Sequence, residues 1–489
     1  MVSAVDLTGR PFHFIGVGGI GMSALAQVLA QRQLPVSGSD IRLNHITQRL
    51  ESLGAHIFSQ QDAANLQFFQ QHPPDLSPRE GDRPLSHPLL PQVICSTAIS
   101  DSNPEYRAAL ELGCPIFHRS DLLAALIAQY RSIAVAGTHG KTTTSGLISY
   151  LLTQTGLDPT VIIGGEVSAL GGNARLGLGS YLVAEADESD GSLTKFSPHI
   201  GVMTNVELDH PDHYQNLGEV IETFQQFVDR CQVTIGCIDC ETLRQHFQPD
   251  LTYSLDPQRG ATYTVQEVEY RGDGSVAQVW ERGQPLGELH LKLLGSHNLS
   301  NALAAVAVGR QLGLEFGAIA AALATFEGAK RRFEYRGTTN RIALVDDYAH
   351  HPSEIQVTLA AARLQVKTQR SPLPTPPQRI IAVFQPHRYS RTEALLSGFA
   401  QSFQDADITL ICDVYSAGEA HNGQADGQQV ATAVAQHHPQ VHYCPSLESV
   451  SQWLIQNSVP GDLVLFLGAG NLNQIIPTVL DRLQSAPVS

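Results

Sequence analysis

Three times along the chain a run of apolar, β-type residues leads into a glycine-rich turn or a polar motif: Phe12–Gly16, Ser132–Ala136 and Arg379–Phe384. The recurrence predicts α/β units built on parallel sheets. Further strand-like runs stand at Pro35–Ser39, Tyr181–Ala184, Gly201–Thr204 and Arg341–Val345, and helical spacing marks Asp121–Gln129, Thr143–Leu152, Asn298–Leu312 and Ser353–Leu364. Between Leu251 and Leu294 apolar and polar residues alternate, with turn signals at Arg259-Gly260 and Gly272–Gly274, which predicts a small antiparallel patch. His72–Pro91, rich in proline and mixed charge, holds neither a helix nor a central strand and reads as a surface insertion in the first domain. A second proline-rich tract, Ser371–Pro377, interrupts the C-terminal part. Fresh strands after Asp121–Gln129 and after the arginine-rich Lys330–Gly337 place domain limits at 1–126, 127–335 and 336–489.

Length agrees with that division, since 489 residues at about 150 per domain give about three. With 42% hydrophobic and 16% charged residues the chain is neither coiled coil, collagen nor disordered. Its formal charge of −16 disfavours broad attraction to nucleic acid or anionic lipid. Met1–Arg10 lacks a secretory apolar region and no run of about 18 apolar residues occurs, so a cytoplasmic protein with no membrane span is expected. The seven cysteines are scattered, and the lone Cys237-x-x-Cys240 has no second pair to complete a zinc site, which suits reduced thiols.

The most specific motif is Ala136-Gly137-Thr138-His139-Gly140-Lys141-Thr142, set between a strand and the helical run that starts at Thr143. Glycines let backbone N–H groups curl round a phosphate, a helix N-terminus adds its positive end, and Lys141 meets the β/γ oxygens. Thr142 then offers its hydroxyl to Mg²⁺. Val135 replaces the first glycine of the longer Walker pattern, so the match is the shorter GxxGKT. Downstream, Glu185-Ala186-Asp187-Glu188-Ser189-Asp190 closes a strand with four carboxylates that need a cation or solvent between them, and Glu185 is nearest the strand end. Asn205-Val206-Glu207-Leu208-Asp209-His210 follows another strand. Magnesium prefers oxygen, so residue chemistry alone does not make His210 a ligand.

Gly16-Val17-Gly18-Gly19-Ile20-Gly21, with Asp40 about 20 residues on, has the form of a dinucleotide-binding turn, read at face value as nicotinamide or flavin. Strictly it supports a helix N-terminus receiving a pyrophosphate, which a UDP-sugar also carries. Two C-terminal clusters, Val345–Pro352 and Phe384–Arg391, close strands where open α/β sheets collect ligands. Arg388 and Arg391 could grip a carboxylate or form surface salt bridges; Arg331 and Arg332 could contact phosphate or serve a charged linker.

In order along nearly the whole chain stand GVGGIGMSALA (16–26), VSGSD (36–40), STAI (96–99), AGTHGKTTT (136–144), EADESD (185–190) and NVELDH (205–210). GSHNLSNALAA (295–305), KRRFE (330–334), DDYAHHPSEI (346–355), FQPHRYSRT (384–392), DVYSAGE (413–419) and LGAG (467–470) follow. This set resembles the Mur ligase family. The resemblance implies an N-terminal Rossmann-like domain for a UDP-sugar, a central P-loop ATPase domain with a mostly parallel sheet, and a C-terminal Rossmann-like domain for the amino acid. It replaces the dinucleotide reading: Gly18, Gly19 and Gly21 would face the pyrophosphate, Ser39-Asp40 the uridine side, with Ser96 and Thr97 beside them. It assigns ATP to Gly137, Thr138, His139, Gly140, Lys141, Thr142, Thr143, His297, Asn298, Asn301, Arg332 and Asp347. Magnesium falls to Thr142, Glu185 and His210, catalysis to Lys141, Glu185, His210 and Arg332, and the L-alanine pocket to Tyr348, His350, Arg388 and Arg391.

The implied reaction is ATP-dependent joining of L-alanine to the carboxylate of UDP-N-acetylmuramate through an acyl phosphate, for peptidoglycan precursors. Closure of the C-terminal domain over the other ligands is also implied. Rival readings are a family member that joins a recycled tripeptide, an NAD-dependent oxidoreductase and a nucleotide-gated switch. The resemblance also implies that sister ligases adding the later residues carry a carbamylated lysine after the NVELDH-type motif; Ile221–Cys231 contains no lysine, which fits the alanine-adding branch. A monomer and a homodimer are both compatible with the sequence.

Overall fold

The computed structural model describes residues 4–73, 90–421, 423 and 425–485, so most of the His72–Pro91 insertion lies outside the described residues. The chain forms α/β domains, and its contacts divide it into two compact units: Met1–Gly137, Ile148–Met203 and Glu222–Thr234, then Thr138–Leu147, Thr204–Ile221 and Ile235–Ser489.

In the first unit, strands run in the order His56–Phe58, Val36–Ser39, Phe12–Ile15, Gln92–Cys95, Ile116–His118, all parallel. Phe12–Ile15 is buried at every position, because helices on both faces leave a parallel strand no wet side. The order reverses at Phe12–Ile15, whose neighbours lead away in opposite directions, so the crevice at its carboxyl end is the expected ligand site. Asn103 caps the helix Pro104–Leu112 by accepting from the Glu105 and Tyr106 amides, with proline at the first helical position where no N–H is needed. The unit's second group of strands is ordered Ile200–Met203, Arg131–Ala136, Tyr181–Glu185, Thr160–Val167, Gly172–Arg175, parallel except for the last.

In the second unit, residues 235–237 of the strand Val233–Cys237 pair with Leu251–Ser254, which pairs with Tyr263–Arg271, both parallel. Only Tyr263–Arg271, Gly274–Glu281 and Gln284–Leu291 form the expected antiparallel patch. Alternation reports which face is buried and is silent on direction, which is why Leu251–Ser254 was included in it. The C-terminal sheet runs Glu334–Thr339, Ile342–Asp347, Asp462–Leu467, Arg379–Phe384, Ile408–Ile411, Val441–Tyr443, antiparallel only at the first pair. Arg379–Phe384 shows the two-residue period: Ile380, Ala382 and Phe384 join one core cluster, Ile381 and Val383 the other. The proline-rich 371–377 tract is pinned rather than loose, because Leu373 is buried in the first of those clusters.

Candidate active site

In the first unit the Gly16–Gly21 turn sits at the carboxyl end of Phe12–Ile15, with Ser96 and Thr97 at the end of the adjacent strand. The glycines allow close approach of side-chain ends: a Cβ on Gly18 would lie 2.8 Å from Asp40 Oδ2, and one on Gly21 would lie 2.9 Å from Arg119 Nη1, so each of those side chains would have to shift. Gly18 donates its N–H to Asp40 Oδ2 at 2.8 Å, while Ser39 is buried and donates its hydroxyl to Glu105. Thus Asp40 stands at the turn, whereas the Ser39 hydroxyl faces the interior. Arg119 was not singled out from sequence. It follows the strand Ile116–His118, and its Nη2 lies 3.6 Å from Asp187 and 3.5 Å from Asp190. A strand-end His-Arg pair was the available signal. Glu185 closes its strand and accepts the Gly164 N–H at 2.8 Å.

In the second unit the phosphate loop is held from beneath by Asn205. His139 N–H donates to Asn205 Oδ1 at 2.8 Å, Asn205 Nδ2 returns a bond to His139 O, and Thr138 Oγ1 accepts the Glu207 N–H at 2.9 Å. Gly140 adopts φ +80°, and a Cβ there would meet Asn301 Oδ1 at 2.6 Å, so Asn301 covers the loop. Asn301 donates to Asn298 Oδ1, which ties these two predicted ATP residues together. Lys141 opens the helix Lys141–Gln154 and donates to Thr138 O at 3.2 Å; Thr142 and Thr143 follow it, both buried.

Beyond the loop, Asp347 ends the strand Ile342–Asp347 and accepts from the Phe333 and Ala349 amides. Burial raises its pKa to about 6, against the nearby Arg332. Arg332 lies over the Tyr348 ring, 5.2 Å from its centre, and 3.8 Å from Glu354. His297 and His350 are both pushed down to about 4 by burial, and His387 to about 3, so all three are neutral at physiological pH.

Arg391 is buried and forks onto the buried Asp209, with Nε at 2.9 Å and Nη2 at 3.3 Å from its two oxygens. It also donates to His387 Nδ1 and His210 Nδ1, each at 3.3 Å. Although burial opposes it, Arg391 holds the Asp209 carboxyl well below the usual range. Arg388 contacts Asp212 at 2.6 Å and Glu419 at 3.5 Å. Both arginines therefore grip the protein's own carboxylates. His350 donates its N–H to Glu354 Oε2 and stands 6.2 Å, ring to ring, from His387.

Glu354 is the residue that sequence reasoning missed most clearly. It is the third residue of the helix Pro352–Thr368, capped by His351, and its oxygens meet His139 Nδ1 at 3.2 Å and the His350 and His351 amides. Burial penalises the charged form of His139, yet Glu207 and Glu354 raise its pKa to about 10. Histidine is a rare N-cap, so the H-P-S-E run carried no capping signature.

A phosphate loop, a Rossmann-type glycine turn and a third α/β sheet bearing paired arginines define a three-part nucleotide-using enzyme, and family comparison gives its class. Residues 11–131 match "Mur ligase family, catalytic domain", 135–309 "Mur ligase middle domain" and 331–470 "Mur ligase, glutamate ligase domain". The chain belongs to the Mur ligase family. It is 61% identical to the UDP-N-acetylmuramate–L-alanine ligase of Gloeothece citriformis, covering 98% of this chain and 99% of that one. The ligase of the same name from Synechococcus elongatus is 63% identical over 99% of this chain and 98% of its own. The crystal structure of UDP-N-acetylmuramate-alanine ligase from Thermotoga maritima superposes with a TM-score of 0.78 at 28% identity, covering 98% of this chain and 100% of that one.

Proposed function

We propose that this chain joins L-alanine to the carboxylate of UDP-N-acetylmuramate with ATP, releasing ADP and phosphate. The reading rests on full-length likeness to ligases of that name at about 60% identity. Family membership removes the oxidoreductase reading of Gly16–Gly21.

The muramoyl carboxylate attacks the γ-phosphate of ATP and ADP leaves; the alanine amine then attacks the acyl phosphate carbonyl, and phosphate departs with the carboxylate oxygen. Negative charge builds in each step, which Lys141 at the head of its helix is suited to stabilise once it leaves Thr138 O for the phosphates. The donor chemistry of Thr142 and Glu185, a hydroxyl and a carboxylate, fits magnesium, and His210 is the third residue proposed to hold it. Magnesium supplies positive charge to the phosphoryl oxygens. Asn298, Asn301, His297, Arg332 and Asp347 are proposed for ATP, and Gly18, Gly19, Gly21, Asp40, Ser96 and Thr97 for the UDP-sugar, whereas the Ser39 hydroxyl is engaged by Glu105 in the core. In the amino-acid pocket of Tyr348, His350, Arg388 and Arg391, Arg388 is the better carboxylate grip, because it is partly exposed whereas Arg391 is committed to Asp209. A cytoplasmic site of action accords with the described residues, none of whose helices is long and apolar enough to cross a membrane.

The test is an acceptor panel: UDP-N-acetylmuramate, ATP and Mg²⁺ with L-alanine or with a tripeptide, read by mass spectrometry. A product heavier by one alanyl residue is expected. A tripeptide adduct without an alanyl product would move the chain to the recycling activity.

A further inference from the structure

Cys237 and Cys240 take no part in the ligase chemistry, yet polar groups converge on one of them. Cys237 closes the strand Val233–Cys237 and is buried; Ile238 and Asp239 form a turn, and Cys240, partly exposed, is the N-cap of the short helix Glu241–His246. Cys237 Sγ receives the backbone N–H groups of Asp239 and Cys240, is hydrogen-bonded to the Tyr253 hydroxyl and stands 3.7 Å from Ser300 Oγ. A buried thiol that serves packing alone behaves as a small hydrophobe and needs none of these partners. Together they suit a sulfur on which negative charge develops during reaction. Burial still raises the Cys237 pKa, so at rest the group is a thiol.

Cys240 Sγ turns towards a different segment of the same unit. It accepts the Val206 N–H at 3.3 Å, donates to Val206 O at 3.8 Å and makes no hydrogen bond to its own helix. Val206 stands between Asn205 and Glu207, which hold the phosphate loop at His139 and Thr138. The reduced Cys240 thiol is thus part of the mount beneath that loop. A four-residue turn keeps its end Cα atoms within about 7 Å, and a disulfide spans about 4.4–6.8 Å between Cα atoms. Because the Cys240 N–H already meets Cys237 Sγ, rotation about the Cys240 Cα–Cβ bond brings the second sulfur across the turn.

We propose that Cys237 and Cys240 are a dithiol that closes to a disulfide by exchange with a low-molecular-mass disulfide, and that closure loosens the phosphate loop. First the Cys240 thiolate, on the partly exposed side, attacks one sulfur of the small disulfide and expels a thiolate. Cys237 then attacks the Cys240 sulfur and expels the second, and the two expelled thiolates take up the two protons released. Two protein thiols and one small disulfide give one protein disulfide and two small thiols. Closure withdraws the Cys240 sulfur from the Val206 N–H and carbonyl, so the mount slackens and nucleotide affinity falls. This consequence rests on the ATP reading, whereas the disulfide itself does not.

The test equilibrates the full chain with mixtures of oxidised and reduced glutathione, alkylates the remaining thiols with N-ethylmaleimide and maps the tryptic peptide 231–244, which carries Cys231, Cys237 and Cys240. The expected product has Cys231 alkylated and Cys237 joined to Cys240 with loss of two hydrogens, is reversed by dithiothreitol, and is absent in Cys240→Ser and in Cys237→Ala. Far-ultraviolet circular dichroism at each glutathione ratio checks folding, and two independent variants keep the test decisive if one does not fold. Affinity for a non-hydrolysable ATP analogue with Mg²⁺ should fall about fivefold or more on oxidation, the effect of losing one hydrogen bond, and should not respond to oxidation in Cys240→Ser. Alkylation of both cysteines in the folded chain at every ratio, a link to Cys231 instead, or a link that forms only as ellipticity is lost would overturn the disulfide. A reversible link that leaves analogue affinity unchanged would uphold the disulfide and refute its effect on the loop. A reduced chain that does not bind the analogue would refute the ATP reading and leave the disulfide standing.

Discussion

Asp209 and Arg391 are both buried and joined by a forked contact, so neither has water to fall back on if the other is removed. Replacing one partner of such a pair leaves an uncompensated charge at a cost of roughly 3–5 kcal/mol. Asp209→Ala is expected to lose that much in urea unfolding, and a loss below about 1 kcal/mol would show the pair to be solvated. Arg388 is a different case: its partners Asp212 and Glu419 are partly exposed, and such pairs contribute little to stability. Arg388→Ala should therefore unfold with an almost unchanged midpoint while raising KM for alanine far more than KM for ATP. Equal effects on the two KM values would remove Arg388 from the amino-acid pocket.

At the scale of elements, the phosphate loop is fastened through His139 to the first turn of Pro352–Thr368. The His139 pKa, raised from 6.5 to about 10, gives this fastening a sign. Its contribution to stability is complete below pH 6.5 and is lost as pH rises through about 10. Denaturant midpoints of the wild type should fall between pH 7 and 10, and Glu354→Gln should flatten that slope; parallel curves would refute the coupling. The loop itself was legible in sequence because glycine, lysine and threonine at fixed spacing after an apolar run have few other uses. Parallel strands were legible as continuous apolar runs, since both their faces are buried. Strand direction at Leu251–Ser254 was not, because alternation encodes only the buried face. Nor was the Glu354 contact, since a carboxylate 215 residues from its histidine leaves no local pattern. The side-chain state of Ser39 was equally hidden: its motif is the one expected at a UDP-sugar turn, yet its hydroxyl is taken by Glu105 from within the core.

For the whole molecule, burial holds His297 and His350 near pKa 4 and His387 near 3, while Asp347 is raised to about 6. A histidine lowered from 6.5 stabilises above that pH and loses its contribution as pH falls through the folded value. Asp347 acts in the opposite direction, so three histidines less one aspartate leave about two protons taken up on unfolding near pH 5. Stability should decline from pH 6.5 towards 4, and a flat profile over that range would contradict the burial of these histidines. The same molecule combines a glycine turn proposed for the UDP-sugar, a phosphate loop and an arginine-bearing strand end, and in the proposed reaction their ligands combine through an acyl phosphate. The most direct measurement supplies UDP-N-acetylmuramate labelled with ¹⁸O in its carboxylate, with ATP and Mg²⁺, and analyses the phosphate released with and without L-alanine. One ¹⁸O in phosphate for each alanyl product, formed only when alanine is present, is the predicted result; unlabelled phosphate, or release indifferent to alanine, would contradict it.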